Sequence, residues 1–235
     1  MTDYLPGDLV DLSRWRLRLP LADSSGAGPT TVTMPELAEF AHHPLFYVND
    51  DLAVWMVAPV GGYSDAETAA TELHELSPAG DPAGWTLTDT DDHVLTAQMM
   101  CDPSPVIGAR ECVVGSITSP GSRPLIELVV THAGHPGALL AYKDGELAGP
   151  LLTGLRSDTL FGWRIAITGG RGARRCYLQA GVGDTLPMSP AYSWAVEEFA
   201  APQLACEFHV GARNVEPTTG RGGRTLVRLM TLAVI

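Results

Sequence analysis

The spacing of turn-forming residues constrains this chain more than any other feature. Short apolar or alternating runs at residues 45–48, 52–58, 93–100, 112–117, 125–131, 163–168, 175–180, 204–210 and 225–234 are separated by clusters of Gly, Pro, Asp and Asn. Proline removes a backbone donor and clashes with the preceding helical turn, so 18 Pro and 25 Gly leave little room for long interior helices. The pattern predicts an all-β chain. One short helix is expected at residues 34–40, with Thr33 as its cap and Pro35 in the first turn.

With 235 residues, 45% of them hydrophobic, the chain can bury one sizeable core, and a single domain over residues 1–235 is expected. The formal net charge of −12 repels nucleic acid, anionic membrane surfaces and polyanionic polymers alike unless a local basic cleft overrides it, and neither nucleic acid nor membrane is expected as a partner. The first eight residues carry neither a basic stretch nor an apolar run, which predicts a cytoplasmic protein. Cys101, Cys112, Cys176 and Cys206 are scattered without a C-x-x-C pair and read as reduced, buried thiols. No metal site or cofactor is expected.

Several local patterns invite chemistry that their context does not support. The glycine clusters at residues 169–172 and 220–223 lack the spacing of a phosphate-binding loop and are expected to be hairpin turns. His42 and His43 point to opposite faces of an extended segment, which disfavours joint ligation. Asp89, Asp91 and Asp92 lack the Gly and terminal Glu of a calcium loop and read as a solvated hairpin turn. Residues 24–28, rich in Ser and Gly, read as a flexible loop.

A family pattern runs along nearly the whole chain in order. It begins with Trp15-Arg16-Leu17-Arg18-Leu19-Pro20 and continues through Phe46-Tyr47-Val48 and Val57-Ala58-Pro59-Val60-Gly61-Gly62. Ala70-Thr71-Glu72-Leu73-His74-Glu75, Trp85, Val113-Val114-Gly115-Ser116-Ile117-Thr118 and Phe208-His209-Val210-Gly211-Ala212-Arg213-Asn214-Val215 follow. These segments resemble the W-x-L-x-L-P, R-S-E-L-R-E, V-V-G-Q-I-H and F-K-A-G-V-Y-N-Q strands of the alginate lyase 2 group, polysaccharide lyase family 7. The resemblance implies a concanavalin-like β-jelly roll, a two-sheet sandwich with a concave cleft.

The resemblance also implies a reaction. A polyuronate lyase neutralises the substrate carboxylate, removes the adjacent acidified proton and protonates the departing glycosidic oxygen. In the family an Arg and a Gln address the carboxylate, while a His and a Tyr move protons. This chain carries Ala70 at the Arg position, Ser116 at the Gln, Thr118 at the His and Arg213 at the Tyr. Ala cannot replace a two-pronged guanidinium, and a Thr hydroxyl titrates far too high to act as a base near neutrality.

Strand alternation identifies what remains. Ala70, Glu72 and His74 share one face, Ser116 and Thr118 another, and His209, Gly211 and Arg213 a third; if the family geometry holds, all three line one cleft. His74 and His209 are the acid/base candidates, because imidazole titrates near neutrality. Glu72 is either an acid/base group or the partner of a cleft cation. Arg213 either neutralises Glu72 or binds an acidic group. Ser116, Thr118 and Ala70 are expected to border the ligand. The sequence supports a cytoplasmic enzyme that reuses the cleft for a small molecule by cyclisation, isomerisation or elimination. The alternatives are a divergent polyuronate lyase acting by β-elimination and a retired carbohydrate-binding module. The expected ligand is a small molecule or an oligosaccharide.

Overall fold

A computed structural model describes residues 4–26, 28–59, 70–102, 111–119, 124–131, 137–170, 173–214 and 224–235. The chain is all-β, as expected, and its strands form two antiparallel sheets with the order of a jelly roll. The eight-stranded sheet runs β10 (Glu146–Leu155), β9 (Gly137–Lys143), β8 (Ile126–Thr131), β7 (Glu111–Thr118), β14 (Glu207–Asn214), β5 (Ala70–Glu75), β1 (Trp15–Ala22) and β2 (Pro29–Val32). The seven-stranded sheet runs β13 (Tyr192–Ala195), β12 (Arg175–Val182), β11 (Phe161–Thr168), β6 (His93–Asp102), β15 (Arg224–Val234), β4 (Val54–Pro59) and β3 (Phe46–Val48).

The period-2 pattern selects which face of each strand is buried against the other sheet. In β1, Trp15, Leu17 and Leu19 enter the core, and Arg16 and Arg18 take the opposite face. In β5, Leu73 enters the core and the Thr71 hydroxyl donates to the Val57 carbonyl of the other sheet at 2.7 Å, which leaves Ala70, Glu72 and His74 facing away. In β14, Phe208, Val210 and Ala212 pack inward, leaving Glu207, His209 and Arg213 on the cleft face. Trp163, fully buried on β11, sits over Gly115 of β7. A Cβ at that glycine would come within 2.4 Å of the indole, so only glycine lets these two strands approach so closely.

All nine expected apolar runs overlap strands, with boundaries shifted by a few residues. β2, β9, β10 and β13 escaped the sequence reading: β10 is a largely exposed edge strand that contains Pro150, a residue tolerated only where one side lacks a ladder partner. The expected helix at residues 34–40 is instead a 3₁₀ turn at Glu36–Glu39, with Pro35 as its cap and no side-chain cap from Thr33. Four residues between Pro35 and an extended Phe40 give an α-helix no room to propagate. A second short helix, α1 (Pro6–Leu9), was not anticipated.

Gly169 and Gly170 follow β11 in the β11–β12 hairpin, as expected. The glycine cluster at residues 220–223, expected to be a hairpin turn, lies outside the described residues. In the loop at residues 24–28, Asp23 organises a tight turn by accepting from the Ser25 backbone and hydroxyl at 2.9 and 2.6 Å. Asp89 accepts from the Thr86 N–H and hydroxyl, so the acidic turn is closed by its own side chains. All four cysteines are buried and unpaired, and burial pushes the thiols of Cys101, Cys176 and Cys206 up. No helix among the described residues is long and apolar enough to cross a membrane.

Candidate functional site

Antiparallel register builds the site as a row of side chains across the cleft face. Arg16 of β1 stands opposite His74 of β5, His74 opposite His209 of β14, His209 opposite Ser116 of β7, and Ser116 opposite Glu127 of β8. One residue pair along, Arg18 faces Glu72 and Glu72 faces Gly211; two further, Ala70 faces Arg213. Directly opposed residues share a face, so this register brings a polar side chain from each of five strands together.

Glu207, two residues before His209 and opposite Thr118, ties the row together. Its Oε1 accepts from His74 Nδ1 at 3.1 Å, His209 Nε2 at 2.9 Å and Arg16 Nη2 at 3.0 Å. The imidazole rings stack with centroids 3.8 Å apart. Burial alone would raise the Glu207 carboxyl, but the hydrogen bonds from His209 and His74 more than offset it and hold the group well below the usual carboxylate range. An ionised carboxylate only accepts, so the proton on His74 is at Nδ1 and that on His209 at Nε2. His74 Nε2 is left as a lone pair with no hydrogen-bond partner, 3.8 Å from Glu72 Oε2. Burial, and next the adjacent His209, pull the His74 imidazole down to about 4, so it is neutral at pH 7.

Arg213 forms a second cluster. Its Nε donates to Glu72 Oε1 at 3.0 Å and its Nη2 to Glu127 Oε1 at 2.7 Å, bridging β14 to both β5 and β8. Burial opposes the charge on Arg213, but the two carboxylates favour it and raise its value. Burial pushes Glu72 up, and the Arg213 guanidinium brings it back below the usual range. A guanidinium therefore stands directly opposite Ala70, on the neighbouring strand.

The structure thus places Glu72, His74, His209 and Arg213 in one cluster, with Ser116 and Thr118 beside it, their hydroxyls 3.2 Å apart. Ala70 is buried and stands directly opposite Arg213. Sequence reasoning missed Glu207, Arg16 and Glu127. Glu207 was detectable two residues before His209 on the same face, and Arg16 in the alternation of Trp15-Arg16-Leu17-Arg18; Glu127 carried no local signal. His42 and His43 lie away from the cluster, with His43 packed against Tyr47 at 4.6 Å.

The comparisons agree with this fold. The alginate lyase family profile matches residues 10–221. The crystal structure of an alginate lyase from Klebsiella pneumoniae is 17% identical and superposes with a TM-score of 0.82, covering 99% of this chain and 98% of that one. The family 7 alginate lyase AlgAT5 is 24% identical, with a TM-score of 0.77 and 99% of both chains covered. Alginate lyase A1-II′, solved as a variant with the substrate GGMG, is 21% identical with a TM-score of 0.75, covering 100% of this chain and 97% of that one. No match was found among curated protein sequences. The profile spans most of the sequence and the solved relatives share the fold end to end, so this chain belongs to the alginate lyase family.

Proposed function

We propose that this protein is a divergent β-eliminating lyase that acts on a uronate-bearing carbohydrate, with the His74–Glu207–His209 group in place of the family's proton-transfer residues. The observation that carries this reading is the buried, unpartnered Nε2 of a neutral imidazole on the cleft face. Glu207 fixes its tautomer, as an acceptor behind a catalytic base must. Family membership supports elimination over the cyclisation or isomerisation chemistry that the replaced residues suggested.

In this mechanism His74 Nε2 takes the proton next to the uronate carboxyl group. The carbon–oxygen bond at the adjacent carbon then breaks, its electrons pass to the oxygen, and a carbon–carbon double bond forms. The imidazolium formed on His74 then returns that proton to the departing oxygen, with His209 packed against its ring, so no water is consumed. Arg213 is held between Glu72 and Glu127, and the more exposed guanidinium, Arg16, is the cation that meets the substrate carboxylate.

Incubation with alginate and with other polyuronates should generate the ultraviolet absorbance of unsaturated ends, and His74→Ala should abolish it. Absence of that absorbance with every polyuronate, across neutral and mildly alkaline pH, would remove the proposal.

A further inference from the structure

Glu72, His74 and His209 each offer a donor atom, and these three atoms lie within 4.8 Å of one another. The proton positions set by Glu207 mean that His74 Nε2 and Glu72 Oε2, 3.8 Å apart, are both electron-rich, with no hydrogen between them. Two acceptors buried face to face are unfavourable unless a cation sits between them. His74 is only 6% exposed and Glu72 3%, so bulk water is a poor substitute.

We propose that Glu72, His74 and His209 bind a divalent transition-metal ion of the zinc class. Two imidazole nitrogens and one carboxylate oxygen suit zinc or cobalt, whereas calcium and magnesium prefer oxygen ligands throughout. Three protein ligands leave a fourth tetrahedral position for water or a ligand. Glu207 is the outer carboxylate that hydrogen-bonds both histidines, and behind His74 it leaves Nε2 as the nitrogen that faces the metal. The donor atoms draw together by side-chain rotation to reach the separation of about 3.4 Å that tetrahedral bonds of this length require.

The metal and a substrate proton compete for the same His74 lone pair. Zinc therefore inhibits elimination, a consequence that rests on the lyase reading, while the binding site itself does not.

The test is a titration of chelator-treated, dialysed protein with Zn²⁺, read by equilibrium dialysis and by nitrogen NMR of the histidine rings. One equivalent should bind, raise the melting temperature and shift the ring nitrogens of two histidines out of seven, His74 and His209. His74→Ala and His209→Ala should each weaken binding more than about 100-fold, and Glu207→Gln about tenfold. Calcium and magnesium should leave the spectra unchanged. Failure to bind one equivalent, or shifts at His42, His43 or His93 instead, would overturn the site even if a variant folds poorly, because the NMR reading is made on the unaltered protein. Stoichiometric binding without elimination by either form would retain the metal site and discard the lyase reading. Elimination by a protein that binds no zinc would do the reverse.

Discussion

The Oε1 atom of Glu207 lies 3.1 Å from Nδ1 of His74, on the opposite side of that ring from the unpartnered Nε2. One carboxylate oxygen thereby decides the tautomer, orientation and available lone pair of an imidazole on a neighbouring strand. A β-strand fixes such a relationship well, because its side chains stand perpendicular to the sheet with restricted rotamers.

Glu207→Gln should separate chemistry from folding. The amide keeps the shape but loses the charge, and its NH₂ can turn towards an imidazole and reverse the tautomer. Elimination should fall about 10²-fold or more in kcat, and stability by roughly 1–3 kcal/mol, measured by turnover and urea denaturation. Unchanged turnover would show that the orientation of His74 does not matter.

Acid should destabilise the fold in a window set by His74. Its folded-state value of about 4 lies below the ordinary value of 6.5, so the unfolded chain binds more protons between these limits. The contribution is fully present above pH 6.5 and is lost as pH falls towards 4, an effect of about 3 kcal/mol. Glu207, also held low when folded, extends the loss below pH 4.5. In His74→Gln the slope between pH 6.5 and 4 should flatten while the loss at lower pH persists; parallel denaturation curves for the two proteins would contradict this.

Arg213 and Ala70 face each other across β14 and β5, so a guanidinium should be transferable between them. Arg213→Tyr leaves Glu72 and Glu127 without their cation and should cost about 3–5 kcal/mol. Ala70→Arg alone crowds two guanidiniums. The combined variant A70R/R213Y should be more stable than the sum of the single changes by at least about 1 kcal/mol in a double-mutant cycle. Simple additivity would mean that the two positions do not share a charge site.

Gly115→Ala should destabilise the sandwich by about 1–3 kcal/mol, since its Cβ would meet the Trp163 ring at 2.4 Å. Pairing it with Trp163→Leu should recover part of that loss relative to Trp163→Leu alone, as read by thermal melts. A Gly115→Ala protein with unchanged melting temperature would show that the sheets can separate without penalty.

Much of the fold was legible locally. Alternation in Trp15–Leu19 and Ala70–Glu75 identified the buried face of each strand, and the ordered family segments indicated which strands belong to the sheet beneath the cleft. β10 was not legible, because an exposed edge strand has no buried face to impose a pattern. Zinc-class chemistry was also invisible, since Glu72, His74 and His209 have no ligand spacing in the sequence.

The sequence by itself determined the strand composition, the family, and the presence of His74, His209, Glu72 and Arg213 on cleft-facing positions. Register and packing decided the rest: that Glu207 orients both imidazoles, that Arg213 is held between two carboxylates, and that His74 keeps a free lone pair. The physical reason is that period-2 alternation assigns a side chain to a face, whereas its hydrogen-bond partners lie on strands more than a hundred residues away, as Glu207 does from His74.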